Sequence, residues 1–81
     1  MNSNYINIKK IYVPRKHLEG FSPKKVFELA ETMMEGEEMK PIKIREGKGR
    51  YVLIEGVHRL EACKALGEKE IFAFIIGAKI F

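Results

Sequence analysis

Aspartate, glutamine and tryptophan are missing from this 81-residue chain, and cysteine occurs once, at Cys63. Without aspartate, any carboxylate that takes part in catalysis or metal binding has to be a glutamate. A lone cysteine excludes an internal disulfide framework and fits a reducing compartment, so a cytoplasmic location is expected. Long apolar runs are missing as well. None approaches the ~20 residues that a membrane-spanning helix needs, and no charged-then-apolar leader opens the chain, so no membrane partner is expected. There is also no repeat, low-complexity tract or linker. A chain this short buries only about 60% of the surface its unfolded form exposes. Residues 1–81 are therefore expected to form one domain around one core.

What is present is the composition of a folded protein, 46% hydrophobic and 32% charged. Lysine, glutamate and isoleucine are abundant, a bias associated with proteins that work at high temperature. The formal net charge of +4 favours an anionic partner, either nucleic acid or a phosphorylated small molecule.

Residues 5–13, YINIKKIYV, read as one strand of branched and aromatic residues interrupted by Lys9 and Lys10 and ended by Pro14. A basic loop, PRKHLEGF, follows. Ser22 before Pro23 is a helix-start signal, Val26, Leu29, Ala30 and Met33 recur at helical spacing, and Gly36 is a left-handed stop. PIKI and YVLIE read as the arms of a hairpin whose turn is REGKGR. The GKG at its tip lacks the spacing and the following hydroxyl of a P-loop. A second helix is predicted over residues 57–66 with Gly67 closing it, and IFAFII as a strand covered on both faces. The tail GAKIF ends apolar, which fits a last piece of sheet or a contact with another copy of the chain. The order β-α-β-β-α-β describes a small α+β fold with two main helices and a mixed sheet of about four strands.

The corner VLIEGVHRLEACKALG carries the chemistry. On the second helix Leu60, Cys63 and Leu66 share a face, and Arg59 lies at the head of that apolar stripe. Its stem could lie along the stripe with the guanidinium in water. Alternatively the helix start, whose first N–H groups have no intrahelical acceptors, binds an anion. In that reading Gly56 lets a phosphate approach the backbone, Arg59 meets two oxygens with its planar fork, and His58 adds a donor. Glu55, at the end of the strand, is a candidate base or ligand. Cys63 sits two turns into the helix on the apolar stripe and reads as core. Because His58 and Cys63 are five residues apart, they fall about 140° apart on a helix, and no metal site is expected there.

EGVHRLEACKALG resembles the box shared by ParB-type chromosome-partition proteins and sulfiredoxins, met here by Gly56, His58, Arg59, Ala62 and Gly67. Upstream, FELAETMMEGEEMKPIKI resembles the helix, loop and PI strand of the same superfamily, with Pro41 and Ile42 matching, so the likeness covers roughly residues 11–76. The resemblance implies a ParB/sulfiredoxin-like fold that binds a nucleoside triphosphate, with magnesium and without a tightly held metal. The phosphates would lie on Gly56, the amide of Val57, His58 and Arg59. Members use the site differently: cytidine triphosphate as a clamp switch, ATP in sulfiredoxins, phosphoryl transfer in a free-serine kinase, and some carry a nuclease label. Sulfiredoxins place their reactive cysteine where this chain has Val57, so that activity is not implied. Partition proteins also carry a separate helix-turn-helix reader and a dimerisation region, neither of which is expected within 81 residues.

Three readings follow. The first is a nucleotide- or phosphate-binding module. The second is a sequence-blind grip on DNA or RNA by Arg15, Lys16, His17 and Arg59. The third is an enzyme with Glu19 or Glu55 as base; Glu19 roughly matches the catalytic glutamate of the kinase-like members. The clustered acids of a two-metal nuclease are missing.

Overall fold

In the computed structural model, which describes residues 2–77, the first predicted strand is two strands, β1 (Asn2–Asn7) and β2 (Ile11–Tyr12). A 3-10 turn, Ile8–Lys10, separates them. Asn7 starts it, its side-chain oxygen accepting from the Lys9 N–H at 2.9 Å. A 3-10 turn repeats every three residues, so Ile8 and Ile11 both reach the core while Lys9 and Lys10 stay in water. The Ile8 N–H donates to the Lys69 carbonyl at 3.0 Å, one step beyond the β1–β5 ladder in the same register.

The remaining elements are α1 (Pro23–Met34), β3 (Ile42–Glu46), β4 (Tyr51–Glu55), α2 (Val57–Ala65) and β5 (Glu70–Ile75). A second 3-10 turn, Arg15–Leu18, occupies the basic loop. The sheet has five strands in the order β1-β5-β3-β4-β2. β1 runs antiparallel to β5 and β3 antiparallel to β4, while β5 is parallel to β3 and β2 to β4. The fifth strand arises from the division of the first. Because only three residues join the two edge strands, the sheet has to curl.

Local signals account for the helices and the hairpin. Ser22 caps α1, its hydroxyl accepting from the Lys25 N–H at 3.3 Å, and Pro23 occupies the first turn. Gly36 after α1 and Gly67 after α2 are left-handed, at φ 89 and 78. The Gly47 N–H donates to Arg50 O at 2.7 Å and closes the hairpin tip. β3 and β4 pair with a bulge between Lys43 and Ile44.

The core lies between α2 and the inner face of the sheet. Ile42, Ile44, Leu53 and Leu60 are fully buried at its centre, with Val57, Cys63, Ile71 and Ala73 around them. Each of those four large side chains contributes roughly 1.5–3 kcal/mol by leaving water. α1 packs on α2 and adds Met33 to the rim of the core, whereas Met34 is exposed. β5 departs from expectation: Ile71 and Ala73 are buried but Phe72 is exposed, because the helices cover one face of the sheet only. Of the apolar tail, residues 78–81 lie outside those described.

Candidate functional site

At the end of β4 the chain turns into α2 through Gly56, which has φ 112 and ψ 32. A side chain there would be strained by the left-handed backbone, and its Cβ would stand 2.7 Å from Ile42 Cγ2. The glycine was expected to clear a path for phosphate. Its missing side chain makes room for β3, so the corner also has a packing reason to be bare.

The helix start is nonetheless open. Leu60 makes the first helical bond, to Gly56 O at 2.9 Å, and Gly56 supplies no side-chain cap. The N–H groups of Val57, His58 and Arg59 find no acceptor among the described residues, and no acidic side chain sits in the first turn. They head a cleft of about 780 Å³ between α1, the residue 38–40 loop and the end of β4. Lys25, Glu28 and Thr32 from α1, Lys40 from the loop, and Glu55 from β4 line it together with the helix start.

The Arg59 guanidinium does not simply stand in water. Its Nη1 donates to the carbonyls of Lys40 at 3.0 Å and Pro41 at 2.7 Å, while Nη2 stands 3.8 Å from the Glu55 carboxylate. The guanidinium thus ties the loop wall of the cleft to α2. Glu55 also pairs with Lys43 at 3.5 Å. His58 accepts the Ser22 N–H on Nε2 at 3.0 Å, which places its proton on Nδ1, and its ring stacks on Phe21 at 5.1 Å and 5°. Its imidazole therefore joins α2 to the start of α1. His17 also lines the cleft, with Nε2–H donating to Leu53 O at 2.9 Å.

Of the residues nominated from sequence, the cleft gathers His17, Glu55, Gly56, Val57, His58 and Arg59. Arg15, Lys16 and Glu19 are exposed on the 3-10 turn and its end, and none of them lines the cleft. Sequence reasoning missed Lys25, Thr32 and Lys40. Lys25, Glu28 and Thr32 share a helical stripe beside the apolar one, but only the α1–α2 packing shows that this stripe faces the head of α2. Cys63 is buried in the core as expected, and burial pushes its thiol above the usual 9.0, with the Glu68 charge adding to the effect.

The model of the ParB N-terminal domain family matches residues 2–79. This chain belongs to the ParB N-terminal domain family. A probable chromosome-partitioning protein ParB of Campylobacter jejuni is 41% identical to this ParB N-terminal domain over 64 residues, which are 79% of the chain and 22% of that protein. The chain thus spans about a fifth of that relative's length. Among solved structures, sulfiredoxin from Arabidopsis thaliana superposes with a TM-score of 0.81 at 28% identity, covering 94% of this chain and 85% of that one. C-terminally truncated chromosome-partitioning protein ParB from Caulobacter crescentus, complexed with CTP-γ-S, gives 0.82 at 19% identity, covering 98% and 46%. These likenesses establish the ParB/sulfiredoxin-like fold expected from the box at Gly56. Among the described residues no helix is long and apolar enough to cross a membrane.

Proposed function

We propose that this ParB N-terminal domain binds a nucleoside triphosphate, with the phosphates on the backbone N–H groups of Val57, His58 and Arg59. The observation that carries the reading is the uncapped start of α2 opening into a cleft that Lys25 and Lys40 also line. By contrast α1, whose start does not head the cleft, carries both a serine cap and a proline. Three N–H donors with partial positive charge, two ammonium groups and a neighbouring guanidinium suit a polyphosphate. A volume of about 780 Å³ leaves room for the sugar and base as well. Magnesium would arrive with the triphosphate and meet the carboxylate of Glu55.

The choice of cytidine triphosphate as first ligand to test rests on the CTP-γ-S bound by the Caulobacter relative. A phosphotransfer reading draws support from Glu55, the nominated acid that reaches the cleft, and less from Glu19. A grip on nucleic-acid phosphates through Arg59 is weakened by that side chain's commitment to two loop carbonyls.

Calorimetric titration with CTP, ATP and ADP in magnesium should show saturable heat for at least one of them. Arg59→Ala and the exposed pair Lys25→Glu/Lys40→Glu should each weaken it by roughly tenfold or more. No heat with any of the three nucleotides, or full affinity in the lysine pair, would overturn the proposal.

A further inference from the structure

The helices cover one face of the sheet; on the other, Val52 is buried and Phe74 and Lys43 are half-buried, while aromatic rings stand exposed at the edges. Strand alternation and register settle which side chains occupy that outer face. Tyr5 of β1 stands opposite Phe72 of β5, Phe74 of β5 opposite Lys43 of β3, Arg45 of β3 opposite Val52 of β4, and Val52 opposite Tyr12 of β2. Tyr5 is 62% exposed, Tyr12 44% and Phe72 37%. Tyr5 and Phe72 are in contact, with ring centroids 5.0 Å apart, and Arg50 lies over the Tyr12 ring at 3.9 Å. Aromatic rings therefore occupy two opposite corners of the face, with Phe74, Lys43 and Arg45 along the diagonal between them.

We propose that this outer sheet face binds single-stranded nucleic acid, with bases stacking on Tyr5–Phe72 and on the Tyr12–Arg50 pair and phosphates meeting Lys43, Arg45 and Arg50. Aromatic faces and guanidinium planes accept any unpaired base, and interleaved cations hold the backbone. The Tyr12–Arg50 stack already presents a guanidinium plane. Glu70 stands on the face opposite Asn7 at a corner, and Lys43 is paired at 3.5 Å with Glu55, which lines the cleft. Charge also argues against a second copy of the chain as occupant. Face-to-face association would bring Lys43, Arg45 and Arg50 against their own counterparts, whereas a polyanion neutralises all three. The bases of a duplex are stacked on one another and cannot lie on the rings, so single strands are preferred. At one corner the face meets a groove in which Tyr5 and Phe72 lie alongside Met33, Lys40 and Arg59, whereas the Tyr12–Arg50 corner is remote from the cleft residues.

The test is fluorescence anisotropy of labelled oligothymidine, oligouridine and a short duplex against the 81-residue chain at low salt, with sedimentation to follow association state. Single strands should bind, and the duplex should bind roughly tenfold more weakly or worse. Three phosphate contacts predict a fall of log affinity against log salt with slope about −2. Tyr5→Ala/Phe72→Ala should weaken binding roughly tenfold, and Arg45→Glu/Arg50→Glu should abolish it, both with unchanged melting temperature. Lys25→Glu, in the cleft and away from these rings, should leave it intact. Absence of single-strand binding at low salt would overturn the proposal, as would equal duplex affinity or loss in the cleft variant alone. So would a Tyr5/Phe72 variant that changes only the association state.

Discussion

Gly56 has a structural reason for being glycine that the sequence did not display. Its position between strand and helix was legible, because a glycine before a cation-bearing helix start is a visible pattern. Its φ of 112 and the 2.7 Å approach to Ile42 were not, because β3 is brought there by sheet pairing and not by neighbours in sequence. Gly56→Ala should therefore fail on two counts, left-handed strain and collision, at a combined cost of roughly 2–5 kcal/mol. Urea titration measures it, and a variant as stable as the parent would show that Ile42 can yield. The two histidines were also visible as residues, but their partners, Leu53 O for His17 and the Ser22 N–H for His58, both lie 36 positions away.

Among the elements, those with local punctuation were readable. Ser22 and Pro23 start α1, glycines end both helices, and the hairpin follows from its turn. The first strand was not, because its division depends on which partner each half finds: β5 for Asn2–Asn7 and β4 for Ile11–Tyr12. The three-residue step from Ile8 to Ile11 was the available sign. The tie between helices is equally nonlocal, and it can be measured. His58→Ala removes the acceptor of the Ser22 N–H and should cost about 1–3 kcal/mol, while Ser22→Ala removes only the α1 cap and should cost about 1 kcal/mol. Chemical denaturation compares them, and amide exchange should show the His58 variant fraying at the first turn of α1. If His58→Ala is neutral, the imidazole is a bystander in α1 placement.

For the molecule as a whole, small size makes ligand linkage conspicuous. A ligand present at one hundred times its dissociation constant adds about 2.7 kcal/mol, and a domain of 60–100 residues gains roughly 4–8 °C per kcal/mol. The nucleotide that fits the cleft should therefore raise the melting temperature by roughly 10–20 °C. Differential scanning fluorimetry with CTP, ATP and GTP ranks them, and equal, negligible shifts would speak against a base-selective site. Net charge pointed to an anionic partner. It could not show where one would sit, because the cleft and the outer sheet face are assembled from elements far apart in the chain.

The grip of Arg59 on the Lys40 and Pro41 carbonyls has a consequence for how this protein would register its cargo. One guanidinium cannot serve two masters at full strength. A phosphate that drew it away would slacken the wall it was holding, and arrival at the helix head would be felt as a loosening next door.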